Sequence, residues 1–214
     1  MYINLSKISK NLKYTLKNSE ELVHKLKSIK LPKEFILFTA DFNSLYTNMK
    51  PQKCINSVNQ KLIKINDNSI DRPLIIKLLA VVLYRYDFQF DGKQFHQVNG
   101  IAMGVSFATS LANIYLDKFD HDINIKYENE LKNYNRFVDD MKGIFIGNDL
   151  DFEKFKNYCN TILPELKLTF ESSREQVNFL DLTIYRAWQT SENQPLLGYR
   201  YYLKPGNAPM SCHT

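Results

Sequence analysis

A chain of 214 residues with 44% hydrophobic and 13% aromatic residues and only seven glycines has the make-up of a globular protein with a substantial core, which excludes disordered, collagenous and repeat architectures. Its 28 Lys and Arg against 23 Asp and Glu give a formal charge of +5, a mild basic excess that suits a polyanion but decides nothing alone. No apolar run approaches the roughly 18 to 20 residues of a bilayer span, and MYINLSKISKNLKY lacks the apolar core of a secretory signal, so a soluble, intracellular protein with no membrane partner is expected.

In chain order, the first 40 residues hold eight lysines against three glutamates. Within them NSEELVHKLKSIK sets Leu22, Val23, Leu26 and Ile29 at helical spacing, with Glu20 and Glu21 early and Lys25, Lys27 and Lys30 late, as the helix dipole favours; this predicts a helix over 18–30. Pro32 stops it, and EFILFTADF reads as a buried strand ending at Asp41. DRPLIIKLLAVVLYRYDF predicts a helix capped by Asp71, with Pro73 in its first turn and Ile75, Leu78, Leu79, Val82 and Tyr86 on one face. Asp91-Gly92 within FQFDGKQFHQ predicts a β-hairpin. In SFATSLANIYLDKFDHDI, Phe107, Leu111, Ile114, Tyr115 and Phe119 form one stripe of a long helix that follows Gly100 and Gly104.

NRFVDDMKGIF reads as two strands broken at Asp139-Asp140, and because aspartate tolerates tight turns this predicts a hairpin with both carboxylates at its tip. A surface turn that happens to use two aspartates is the competing reading of that motif by itself. DFEKFKNYCNTIL predicts a helix with Phe152, Phe155, Cys159 and Ile162 inward, and LKLTFES, VNFLDLTIYRAW and LGYRYYL read as strands. Helices and strands interleave without the alternation of a doubly wound sheet, so the expected fold class is α+β, an antiparallel sheet packed on helices. Cys54, Cys159 and Cys212, odd in number and far apart, fit free thiols, and SCHT is too short a cluster for a zinc site.

Asp41, Asp139 and Asp140 carry chemistry if the sheet gathers them. Three anions repel one another unless cations hold them, and carboxylates with room for water and phosphate suit Mg²⁺. Two divalent ions about 3.5 to 4 Å apart can activate an attacking hydroxyl and stabilise a leaving pyrophosphate, which is nucleotidyl transfer. The order of strand Asp, glycine turn with long helix, and hairpin Asp-Asp is that of the palm of right-handed polymerases.

DFNSLYTNM, GIAMGVSFATSLANIYLDKFD, RFVDDMKGIF, NFLDLTIYR and YYLKPGN closely resemble, in order, the palm motifs of reverse transcriptases, and specifically of Penelope-like retroelements, which SLYTN, AMG and FLDL separate from retroviral and group II intron enzymes. The resemblance implies a right-hand polymerase palm with partial fingers, residues 1–40 being a basic helical remnant of the fingers and 41–214 the palm. It implies Asp41, Asp139 and Asp140 as catalytic metal ligands, with Phe42 lending a backbone carbonyl, for two Mg²⁺ ions that Mn²⁺ can replace. Tyr46 is implied as the gate beneath the incoming sugar, and Gly100, Met103 and Gly104 as the turn that packs on the nascent base pair. Tyr46 as a core aromatic, Met103 as a gap-filler and Lys204 as a solvated lysine are the plainer alternatives. In the family FLDL begins the hairpin that grips the primer, which implies Phe179 and Leu180 as the primer grip, although for these two a core role is the preferred reading, with Asp181 shaping the turn.

The implied activity is RNA-directed DNA polymerisation by a retrotransposon protein, with an RNA template, a DNA primer and deoxynucleoside triphosphates as partners, inside the cell and including the nucleus. Two alternatives stand beside it. One is an RNA-dependent RNA polymerase, whose viral members usually carry Gly-Asp-Asp where this chain has Val138-Asp139-Asp140 and a small residue in place of Tyr46. The other is an inactive nucleic-acid-binding remnant. Val105 and Ser106 stand where the family usually has a small polar residue and proline, and CHT where it has histidine-proline. The family's basic fingers motif, thumb and nuclease have no counterpart in these residues, so poor polymerisation by this chain alone is expected, with weak, salt-sensitive and sequence-independent binding to nucleic acid.

Overall fold

The segment ILFTADFN is buried on both faces up to Ala40, apart from a half-buried Thr39, and opens to solvent only at Asp41 and Asn43, the pattern of an inner strand covered on two sides. It forms β1 (Ile36–Asn43). The strand runs two residues past Asp41, where sequence had ended it, because Phe42 still buries its ring, 5.2 Å from that of Phe119. The computed structural model describes residues 2–26, 31–67, 69–102, 104–189 and 194–202. They fall into two compact units, one of Leu16–Asp41, Tyr127–Asn157 and Thr169–Thr214, the other of Met1–Thr15, Phe42–Lys126 and Tyr158–Leu168.

In the first unit β1 lies in a four-stranded sheet of order β4-β5-β1-β6, with β4 Leu131–Phe137, β5 Asp140–Phe145 and β6 Lys167–Ser173; β5 runs antiparallel to both β4 and β1. Period-two alternation sends Phe38 and Phe145 to one face, where they meet Phe152 and Phe155 of α7 (Asp149–Ile162) at ring distances of 5.3 to 5.5 Å. Gly143 sits opposite Phe38 because a Cβ there would lie 2.6 Å from the ring. Leu37 and Ile144 face the other way, into a core with Leu22 and Leu26 of α2 (Ser19–Leu26) and with Phe179 and Ile184. The predicted helix therefore forms over Ser19–Leu26, and residues 27–30 lie outside the described ones.

VNFLDLTIYRAW is not one strand. Leu180 takes a left-handed φ of 56° and the chain reverses, so β7 (Gln176–Phe179) pairs with β8 (Leu182–Gln189), which pairs in turn with β9 (Gln194–Tyr201).

The second unit is mostly helical, with α4 (Pro51–Ile65) packed on α5 (Arg72–Tyr84) and α6 (Ala108–Lys126), and α1 (Tyr2–Ser9) on α6. Asp71 caps α5 as its sequence predicts, accepting a hydrogen bond from the Leu74 N–H at 3.0 Å. Leu78, expected on the inward face, is exposed, and the core side of α5 is Ile75, Leu79 and Leu83. The α6 stripe of Leu111, Ile114, Tyr115 and Phe119 is buried as expected. Asp91-Gly92 forms the two-residue loop between β2 (Asp87–Phe90) and β3 (Lys93–His96). Cys54 and Cys159 are buried free thiols, and burial pushes that of Cys54 up to about 12. Cys212 and Lys204 lie outside the described residues. Among the described residues no helix is long and apolar enough to cross a membrane.

Candidate active site

Strand pairing places the expected carboxylates at one end of the main sheet. The β1–β5 ladder closes on Asp41 opposite Asp140, and Asp139 is the residue before Asp140. Directly opposed like charges disfavour a ladder unless neighbouring groups or a cation offset them. Asp41 and Asp140 are exposed and Asp139 is half-buried.

The hairpin tip lies one residue earlier than sequence suggested. Phe137 pairs with Asp140, so the two-residue loop is Val138-Asp139 and Asp140 is already the first residue of β5. Val138 has φ 56°, the sign that a type II′ loop requires at its first position and that glycine normally supplies. A β-branched residue there stores roughly 1 to 3 kcal/mol of strain, which the surroundings must hold in place.

Arg136 supplies the restraint. Its side chain is fully buried, and Nη1 donates a hydrogen bond to the Val138 carbonyl at 2.7 Å, tying the strained loop down from below. The Leu16 N–H donates to the Arg136 carbonyl at 2.8 Å. Arg136→Ala should cost at least about 2 kcal/mol, since it orphans a carbonyl and leaves a cavity, and the Val138 and Asp139 amides should lose hydrogen-exchange protection. Unchanged urea stability and protection would remove Arg136 from this role.

Lys142 is the second residue that the sequence reading missed. Two positions beyond Asp140, it shares the face of the sheet that carries Asp41 and Asp140, is 2% exposed, and donates from Nζ to Asn133 Oδ1. Burial, with Lys25 adding to it, pulls its ammonium down to about 7. Asn133, left-handed at φ 47°, occupies the irregularity in the β4–β5 pairing, and its amide donates to the Lys25 carbonyl at 3.1 Å. Period-two counting from Asp140 was the available signal for Lys142; nothing local marked Arg136.

The donor set at this end of the sheet suits a hard divalent cation, being carboxylate oxygens beside solvent. Among the described residues no group of three or more His, Cys, Asp or Glu side chains is gathered closely enough to hold a metal ion, so the three carboxylates share a sheet end without closing on one point.

In the helical unit, the other expected site residues meet through backbone. Ser44, left-handed at φ 51°, turns the chain after β1 into the single-turn α3 (Leu45–Asn48), which carries a half-buried Tyr46. The Tyr46 carbonyl accepts a hydrogen bond from the Ile101 N–H at 2.7 Å. Gly100, at φ +76°, lies so close that a Cβ would be 2.7 Å from Thr47 Cα, Thr47 O and Tyr46 O. Gly104 is exposed, and a Cβ there would meet only the Tyr86 hydroxyl, at 3.7 Å; Met103 lies outside the described residues. Phe179 is sunk in the core of the first unit and Leu180 packs against that core, in keeping with the preferred reading of both. Asp181, beside them in the turn, accepts a hydrogen bond from Ser19 Oγ.

The paired carboxylates lie at the end of a sheet in a fold that resembles a polymerase palm, as comparison with solved structures shows. No protein-family model and no curated protein matches the chain. Solved structures do. Apo telomerase from Candida tropicalis, truncated from its C-terminal domain, is similar at TM-score 0.66 and 15% identity, over 86% of this chain and 43% of that one. Telomerase from Candida albicans in complex with a fragment of telomeric RNA gives TM-score 0.67 and 11% identity, over 86% and 37%. The RNA-dependent RNA polymerase of a human picobirnavirus gives TM-score 0.63 and 13% identity, over 87% and 35%. The chain thus spans less than half the length of these structures, and the likeness is one of fold.

Proposed function

We propose that this chain is the palm of an RNA-directed DNA polymerase that transfers nucleotides with Asp41, Asp139 and Asp140 holding two Mg²⁺ ions. The observation that carries the reading is the register of Asp41 against Asp140, with Asp139 adjacent on a strained, arginine-braced loop. Carboxylate oxygens brought face to face beside solvent are the donor type that a divalent cation takes. Bound there, the ions would activate the primer hydroxyl and neutralise the leaving pyrophosphate. The chain's own part is positional. The braced loop holds the backbone beside Asp139, and the ladder holds Asp41 opposite Asp140. A retroelement of the Penelope-like kind is the source that the sequence motifs support.

Primer extension with Mg²⁺ or Mn²⁺ on matched RNA and DNA templates tests the proposal. Deoxynucleotide addition on RNA supports it, and addition of ribonucleotides alone would favour the second reading, an RNA-dependent RNA polymerase. That reading stands because the fold resembles both telomerase and a viral RNA polymerase. Tyr46 separates the two. A rigid aromatic under the sugar excludes a 2′-hydroxyl by sterics and by denying it a partner, so Tyr46→Ala should raise ribonucleotide relative to deoxyribonucleotide incorporation by about tenfold or more. An unchanged ratio would make Tyr46 a packing residue.

A further inference from the structure

The β2–β3 hairpin has two unlike faces. Both of its central loop residues are left-handed, Asp91 at φ 49° and Gly92 at 71°, as a type I′ turn requires, and the Gln97 N–H donates to the Tyr86 carbonyl at 2.9 Å to close its base. Register then sorts the side chains. Phe88 pairs with Phe95 and Phe90 with Lys93 on one face, while Asp87 pairs with His96 and Gln89 with Gln94 on the other. The second face satisfies itself, with His96 Nδ1 2.8 Å from Asp87 Oδ1.

The aromatic face does not. Phe88 and Phe95 stack at 5.6 Å with 20° between their planes, yet remain 45% and 43% exposed, and Phe90 is 70% exposed. A two-stranded hairpin is marginal in water, and one stacked pair adds at most roughly 1 kcal/mol to it. Phe90 adds almost nothing to the fold at that exposure. Phe88, Phe90 and Phe95 thus share one exposed face of the hairpin, with Lys93 paired opposite Phe90.

We propose that this face is a stacking platform for single-stranded nucleic acid, Phe90 taking the face of a base beside the Phe88–Phe95 stack and Lys93 a backbone phosphate. The inference rests on the polymerase reading above and extends it to a surface that reading does not use. The charge favours this occupant. A purely apolar partner leaves the Lys93 ammonium without a counter-charge, whereas a strand of alternating flat bases and phosphates matches a ring beside a cation. Aromatic stacking also takes any base, which suits a surface contacting a strand of changing sequence.

The test is binding of a short fluorescent oligouridylate and its DNA equivalent by the 214-residue chain, followed by anisotropy across a salt series. Phe90→Ala should weaken binding about tenfold at every salt concentration, Phe90→Leu should do the same because it keeps apolar bulk but loses the ring face, and Phe90→Trp should restore it. Lys93→Gln should lower the salt slope by about 0.7, one phosphate contact on a single strand. Phe90 is exposed, so thermal unfolding of these variants should match the parent chain. Equal binding by Phe90→Ala, or by Phe90→Leu, would overturn the platform while leaving the polymerase reading intact. Loss of a dimer on Phe90→Ala would overturn it in favour of a second copy as the occupant. No binding by the parent chain would overturn the platform, while primer extension decides the polymerase reading separately.

Discussion

Replacing Asp139 with asparagine is expected to abolish templated nucleotide addition, by at least about a hundredfold, while leaving thermal unfolding unchanged. The substitution removes one charge and almost no volume, and asparagine tolerates the same turn position. Its cost falls on the charge that would hold a divalent cation, a loss that no neighbour replaces, because Asp41 and Asp140 already face each other across the ladder. The measurement is single-nucleotide primer extension with Mn²⁺ and Mg²⁺, by a polypeptide that includes these residues and extends a primer, beside its melting curve. Near-normal rates in the variant would mean that Asp139 holds no metal. A lost melting transition would instead say that Asp139 is a folding residue of the braced loop.

Gly100→Ala is expected to destabilise the helical unit by about 2 to 5 kcal/mol, a large part of the stability of an ordinary domain. Two costs add. An L-residue at φ +76° is strained, and the new methyl would sit 2.7 Å from backbone atoms of Tyr46 and Thr47, which cannot yield as a flexible side chain would. Gly92 is the control. It has φ +71° but nothing within 4 Å of a Cβ, so Gly92→Ala should carry only the strain, about 1 to 2 kcal/mol. Urea denaturation of both variants separates the terms, and equal losses would show that the close approach to Tyr46 and Thr47 does not constrain residue 100.

Much of the local structure could be read from the chain because its causes are local. The Asp71 cap, the Asp91-Gly92 loop and the apolar stripe of α6 each need only a few neighbouring residues to form. The α4 helix was equally local and still missed, although Pro51 in its first turn and Cys54, Ile55, Val58 and Leu62 at helical spacing announce it. Leu78 shows the limit of such reading, since periodicity gives a helix an apolar side but cannot say how much of it finds a partner.

Residue types and their order determined that this chain would place three aspartates on strands and a turn, a glycine turn before a long helix, and an α+β fold around them. Only the tertiary structure decided that Asp41 faces Asp140, since that register joins strands from distant parts of the chain and depends on what both of their faces bury. It alone moved the hairpin loop to Val138-Asp139, because a valine at positive φ is disfavoured locally and persists only where something buried holds it. That something is Arg136, charged and fully enclosed, a placement that no pattern of neighbouring residues specifies and that only the packed sheet can stabilise.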